Sequence, residues 1–123
     1  MSYLLLLLVG SCKKDNKLFV LRDDTGIKFE NTLDYTEDFN PYTYRNFYNG
    51  AGVSVGDINN DGLIDIYITG NIVPNKLYLN LGNFKFRDIT NQAGVACENV
   101  WSTGSALVDI NGDGLLDIYV CKS

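Results

Sequence analysis

Two copies of one acidic motif decide the fold of this chain: D-I-N-N-D-G-L-I-D at residues 57–65 and D-I-N-G-D-G-L-L-D at residues 109–117. Each copy places oxygen-bearing side chains at alternate positions around a glycine, which is the arrangement that a hard cation such as calcium requires. The two copies begin 52 residues apart. A spacing of this size is typical of repeat architectures, so we interpret the chain as a set of repeats.

The motifs predict two structural calcium sites built from equivalent ligands. In the first loop the main-chain carbonyl of Leu63 joins four side chains, those of Asp57, Asn59, Asp61 and Asp65. In the second loop the carbonyl of Leu115 joins the side chains of Asp109, Asn111, Asp113 and Asp117. A glycine at the sixth position of each loop permits the sharp turn that such a loop needs.

The loops have three other possible interpretations. An EF-hand needs a Glu at the twelfth position and flanking helices, whereas Ile68 and Val120 stand there in strand-like runs. Magnesium is less suited, because it dehydrates reluctantly and takes few protein ligands. The remaining alternative is that the Asp and Asn side chains only form turns that end the neighbouring strands.

Composition narrows the possible functions of the 123-residue chain. Its net charge of −5 argues against a nucleic-acid partner, since phosphate binding needs clustered Lys and Arg. Six of its 15 acidic residues lie in the two loops, where a metal would neutralise them. The chain has no His, which excludes imidazole as a zinc ligand or base within it. Its three Cys have no C-x-x-C spacing. Cys97 and Cys121 could form a disulfide, and two free thiols are the alternative.

The N-terminus carries the pattern of an export signal. The apolar run Tyr3–Val9 is too short to cross a bilayer as a helix and suits a signal peptide. Val9-Gly10-Ser11-Cys12 resembles the lipobox of bacterial lipoproteins, which implies lipid attachment at Cys12 and a place in the bacterial cell envelope, as an outer-membrane or surface lipoprotein. Met1–Tyr3 departs from that pattern because it has no Lys or Arg. A plain secretory signal or a buried strand are the alternatives.

Alternating apolar and polar residues predict an all-β fold. Short strands are expected before and after each acidic loop, and Lys76–Asn80 with Phe84–Ile89 is expected to form a hairpin that puts Phe84 and Phe86 on one face. Leu18–Leu21 is interpreted as a strand or an extended lead-in. One period then holds about four short strands, the content of a β-propeller blade. We therefore expect about one and a half blades of a longer propeller; a complete small β-domain is the alternative.

Specific residues carry a family resemblance. Residues 56–67, G-D-I-N-N-D-G-L-I-D-I-Y, resemble the FG-GAP/VCBS repeat of integrin α-type propellers. Residues 75–80, 84–90 and 93–95 are similar to the subgroup found in cartilage acidic protein and bacterial ASPIC/UnbV-type proteins. The resemblance covers about residues 46–121 and implies a calcium-stabilised propeller. It divides the chain into a lipoprotein signal at 1–11, a tether and lead-in at 12–45, and incomplete repeats at 46–123.

The expected function is binding or adhesion to a protein or glycan at the cell surface, because no catalytic constellation is visible. A second possible function is to form the non-catalytic part of a polysaccharide-active enzyme such as a lyase. A third possibility is a purely structural spacer repeat. Family membership alone does not choose among them. The aromatic residues from Tyr35 to Tyr48 and Trp101 fit either a sugar-stacking platform or packing between blades, and the packing role is the one favoured.

Overall fold

The computed structural model of the chain describes residues 17–123. The predicted signal segment at residues 1–11 and the predicted lipidation site Cys12 lie outside this range.

The described residues form antiparallel sheets with one short helix, which confirms the predicted all-β class. A four-stranded sheet has the order β1-β2-β3-β4, and a two-stranded sheet pairs β5 with β6. In chain order the elements are β1 (Val53–Gly56), β2 (Asp65–Ile68), β3 (Lys76–Asn80), β4 (Phe86–Asp88), α1 (Thr90–Ala93), β5 (Ser102–Val108) and β6 (Asp117–Lys122). The first four strands form a meander, which is the content of one propeller blade.

The strand registers reproduce the repeat seen in the sequence. In the first sheet Val55 pairs with Ile66. In the second sheet Leu107 pairs with Ile118, and both of these positions lie 52 residues further along the chain. The pair β5–β6 is therefore a second copy of β1–β2, and the chain contains one complete blade followed by the first two strands of another.

The predicted hairpin forms with a shorter second strand. Asn83 and Phe84 have φ angles of +52° and +58°, so both residues belong to the turn and β4 begins only at Phe86. The turn is closed by hydrogen bonds between Leu81 N and Lys85 O (2.8 Å) and between Lys85 N and Gly82 O (2.9 Å). The expectation that Phe84 and Phe86 share one strand face was therefore wrong, because Phe84 is not in a strand.

Tyr67 in β2 forms the buried centre of the first blade. Its hydroxyl donates to Val95 O and accepts from the amide of Asn75, both at 2.8 Å. Burial raises the pKa of Tyr67 to about 12, so the hydroxyl keeps its proton and continues to donate at any physiological pH. Leu77 and Tyr78 from β3 complete this core.

The segment before β1 contacts the blade from Arg22 onward. Thr25 O accepts from Phe86 N at 2.8 Å, and Asn31 exchanges two hydrogen bonds with the buried Asn71 (2.7 and 3.0 Å). Leu18–Leu21, by contrast, forms no strand and is exposed. Of the two interpretations of that run, the strand was wrong and the extended lead-in agrees with the structure.

Aromatic rings join this N-terminal segment to the start of the second blade. The buried Phe47 lies 5.9 Å from Trp101 between ring centroids, while Phe39 and Tyr44 contact Trp101 at 5.4 and 5.0 Å. Such pairs add to the stabilisation that burial of the rings already provides. Phe47 and Trp101 are therefore buried, with Phe39 and Tyr44 packed half-buried against them, while Tyr35, Tyr42 and Tyr48 remain exposed. Cys97 and Cys121 are both free thiols.

The two blades meet along their first strands, β1 and β5. The hydroxyls of Ser54 and Ser105 lie 2.7 Å apart. A Cβ added at Gly52 would lie only 2.7 Å from the Cα of Gly104, so the two backbones approach more closely than any side chain would allow. The blades are thus held by small residues on one strand facing the next.

Candidate metal loops between paired strands

Both acidic loops connect the first strand of a blade to the second. Asp57 directly follows β1 and Asp65 begins β2, while Asp109 directly follows β5 and Asp117 begins β6. Because the strands on either side are paired, each loop is a long hairpin connection whose two ends are fixed. The structure therefore places all ten predicted metal ligands in two equivalent loops, five in each.

A glycine forms the sharp turn in each loop. Gly62 and Gly114 have φ angles of +84° and +85°, in the left-handed region that other residues rarely adopt. The agreement between the two angles shows that the loops share one backbone path at this point. The sequence predicted a sharp turn at the glycine in the sixth position, and the structure has that turn.

The first Asp of each loop holds the turn in place. Asp57 accepts hydrogen bonds from Asp61 N (3.1 Å) and Gly62 N (2.8 Å). Asp109 accepts from Asp113 N and Gly114 N at the same two distances, and also from Gly112 N at 2.7 Å. These N–H groups, that of Gly114 above all, keep the pKa of Asp109 below its ordinary value. The Asp109 carboxylate is therefore ionised at neutral pH.

The third and fifth positions of each loop are linked to each other. The Asn59 amide donates to Asp61 Oδ2 at 2.8 Å, and Leu63 N donates to Asp61 Oδ1 at 2.8 Å. Asn111, Asp113 and Leu115 repeat the pattern with distances of 3.0 and 2.8 Å. The Leu115 N–H, followed by the Asn111 amide, lowers the pKa of Asp113. The second loop thus carries two carboxylates stabilised in the charged form.

The ninth position differs between the loops. Asp65 is fully buried, and its two oxygens accept from Ile58 N (3.0 Å) and Asn80 N (2.7 Å). It therefore ties the start of the loop and the end of β3 to β2. Asp117 accepts only the equivalent bond from Ile110 N (3.0 Å) and is partly exposed. The described part of the second blade ends at β6, so no counterpart of β3 is present to add the other bond.

Two sets of hydrogen bonds to the acidic loops were not predicted from the sequence. Asn80 donates its main-chain N–H to Asp65 and its side-chain amide to Ile64 O (2.8 Å), across 15 and 16 residues. The Asn60 amide donates to Gly114 O at 3.1 Å, so the two acidic loops touch. No local motif marks either contact, because both depend on the packing of strands that are distant in sequence.

The donor set of each loop fits calcium by its chemistry. Calcium takes six to eight oxygens, and a carboxylate has about four lone-pair positions, so an oxygen that accepts one N–H can still contact an ion. Across residues 17–123, however, no three acidic or thiol side chains already converge on a common point. The loops are held by their own hydrogen bonds, and their acidic side chains would have to reorient to contact one ion together.

Across residues 17–123, no helix has both the length and the apolar character needed to span a membrane.

Comparison with known proteins identifies the repeat. The model of the FG-GAP-like repeat matches residues 57–120, just over half of the chain. Cartilage acidic protein 1 of Mus musculus is 42% identical over 69 residues, which cover 56% of this chain and 11% of the mouse protein. The proteins of that name from Homo sapiens and Xenopus tropicalis are 41% and 39% identical over 69 residues, again 56% of this chain and 10% and 11% of theirs. The chain spans about a tenth of the length of the curated relatives it matches. It belongs to the FG-GAP-like repeat family.

Proposed function

We propose that this chain is a calcium-binding β-propeller module that is exported, anchored by lipid at Cys12 and used to bind a protein or glycan at the cell surface. The observation that supports calcium is the pair of equivalent loops, which join paired strands at the same point of two consecutive blades. A bound calcium ion would neutralise the clustered carboxylates of a loop. The loop residues themselves fix the first strand of a blade to the second.

The charge distribution supports a structural role for calcium in each loop. Each nine-residue loop, 57–65 and 109–117, contains three Asp side chains. Neither loop contains a Lys or Arg that could offset their charge. Like charges held together destabilise a fold unless a cation balances them. Exported proteins meet calcium in the range that suits weak sites with Kd of about 10⁻⁴–10⁻³ M. Export and calcium binding are therefore mutually consistent proposals.

Calcium titration of the Asp57→Ala and Asp109→Ala variants tests the ligand assignment. We expect isothermal calorimetry to give two ions for the unmodified chain and one for each variant, because each substitution removes the first ligand of one loop. Asp34→Ala, an exposed acidic residue outside the loops, is the matched control and should leave two ions bound. An unchanged stoichiometry in both loop variants would rule out these residues as ligands.

Lipid attachment is tested separately at Cys12. In bacterial cells fed a labelled fatty acid, the unmodified chain should become labelled and enter the membrane fraction. Cys12→Ser should abolish the label, since the thiol is the acceptor in the lipobox pattern of residues 9–12. Cys97→Ser is the control and should be labelled normally. Label on the Cys12→Ser variant would refute the anchor.

A further inference from the structure

The second acidic loop contacts the first blade at two points. The side-chain amide of Asn60, in the first loop, donates to Gly114 O in the second loop at 3.1 Å. At the other point Leu116 packs on Gly56, where an added Cβ would lie only 2.7 Å from Leu116 Cδ1. Gly56 and Leu116 each directly precede an aspartate of a loop, the first and the last respectively. The contacts therefore involve the loops themselves as well as the strands on either side of them.

The Asn60 contact is specific to this residue and is not repeated. Asn60 and Gly112 occupy the fourth position of their loops, and both have left-handed backbones, with φ angles of +57° and +78°. Glycine adopts this conformation at no steric cost, and asparagine is one of the few other residues that tolerate it. Gly112 has no side chain, so the second loop cannot make the equivalent bond. The contact therefore runs in one direction, from the first loop to the second.

This hydrogen bond holds a peptide unit next to a predicted ligand. Gly114 O and the Leu115 N–H belong to the same planar peptide unit. Asn60 donates to the oxygen, and Asp113 accepts from the N–H at 2.8 Å. The N–H of Gly114 itself donates to Asp109 at 2.8 Å. With this unit held at both ends, the Leu115 carbonyl that follows it has fewer orientations available. Asn60 thus helps to place a predicted ligand without being one.

We propose that Asn60 is a positioning residue that couples the two acidic loops, so that calcium bound in the first loop strengthens calcium binding in the second. The inference rests on the proposed calcium binding. Asn60 lies between the predicted ligands Asn59 and Asp61, so an ion that orders the first loop also orders Asn60. The bond to Gly114 then forms at a lower cost in conformational entropy. Such coupling is reciprocal, and one exposed hydrogen bond supports a factor of about two to ten.

Hydrogen exchange of the full chain in EGTA, measured by NMR, tests the contact without any ion. Asn60→Gly keeps a residue suited to the left-handed backbone and removes only the side chain. We expect the amides of Gly114 and Leu115 to exchange about two to ten times faster, while those of β2 and β5 keep their rates. Asn99→Gly is the matched control, because Asn99 is exposed, has the same φ of +57° and lies outside both loops. An unchanged exchange rate at Gly114 in Asn60→Gly would overturn the coupling.

Calcium titration of the full chain, followed by NMR, tests the effect of one ion on the other. The amide signals of Gly62 and Gly114 report the two loops separately. Asp57→Ala, which removes the first ligand of the first loop, should weaken calcium binding at Gly114. With Asn60→Gly already present, this weakening should be about two to ten times smaller. Repulsion between the two ions acts in both backgrounds, so the double-mutant cycle isolates the part that depends on Asn60.

Two results of the titration separate failure of the coupling from failure of calcium binding. An equal effect of Asp57→Ala with and without the Asn60 side chain would overturn the coupling. Calcium binding at neither loop would overturn the proposed function, and the exchange rates in EGTA would then decide whether Asn60 joins the loops.

Discussion

Replacing Asp65 with Ala is expected to destabilise the chain more than any other change in the acidic loops, even when no metal is bound. Asp65 is fully buried and accepts two main-chain hydrogen bonds, from Ile58 and Asn80. Loss of the carboxylate leaves both N–H groups without a partner. At about 1–3 kcal/mol for each such group, the free energy of unfolding should fall by about 2–6 kcal/mol. Urea denaturation in the presence of a chelator measures this loss.

Asp117 provides the matched control for Asp65. It occupies the same position in the second loop but is partly exposed and accepts one hydrogen bond, from Ile110 N. Asp117→Ala should therefore lower the free energy of unfolding by about 1 kcal/mol or less. Equal losses for the two variants would contradict the account, because they would show that the bond from Asn80 contributes nothing.

Gly52→Ala is the second substitution with a large expected effect. Its new methyl group would lie 2.7 Å from Gly104 Cα, and a backbone atom in a paired strand cannot move aside as a flexible side chain can. Overpacking of this kind costs about 1–3 kcal/mol, and it should fall on the contact between the blades. Urea denaturation measures the cost, and protection of β5 amides from hydrogen exchange shows where the structure loosens.

Gly104→Ala is the counterpart that the repeat supplies. The two glycines occupy the same position in consecutive blades, yet a Cβ at Gly104 meets no atom within 4 Å. The free energy of unfolding of the isolated chain should change by about 0.5 kcal/mol or less. A loss as large as that of Gly52→Ala would mean that glycine is needed here for backbone conformation rather than for the approach of the next blade.

The repeat and its strands could be predicted because their signals are local. The alternation around residues 53–56 and 117–120 and the glycine at the sixth loop position reflect geometry within a few residues, and the 52-residue spacing is visible because these local signals occur twice. That spacing makes Val55 equivalent to Leu107 and Ile66 equivalent to Ile118, and the strand pairs Val55–Ile66 and Leu107–Ile118 agree with this equivalence. Hairpin content was also predictable, although the alternation of Phe84 and Phe86 concealed the positive φ angles at Asn83 and Phe84.

The contacts that distinguish the two loops could not be predicted from the sequence. The motifs give Asp65 and Asp117 the same role, whereas the structure buries only Asp65, because β3 brings Asn80 against it. The position of the lead-in was equally hidden, since Asn31 meets Asn71 only after the blade has formed. In each case the partner comes from a distant part of the chain, and its choice depends on packing rather than on spacing.

The repeat also explains why some apolar residues are exposed. Val53, Val55 and Ile64 would be unusual on an isolated domain, but the equivalent residues of the second blade are those that pack against the first. The apolar character of an exposed position in one repeat is therefore explained by the contact that the equivalent residue makes in the other repeat.

Equilibrium unfolding in calcium, in magnesium and in chelator is the measurement that tests the central claim most directly. If the two loops bind calcium only when folded, calcium at about 100 times its Kd should raise the free energy of unfolding by about 2.7 kcal/mol for each site. Magnesium at the same concentration should have a much smaller effect. The same free energy of unfolding in all three solutions would contradict the account and would leave the acidic loops as turns held by hydrogen bonds alone.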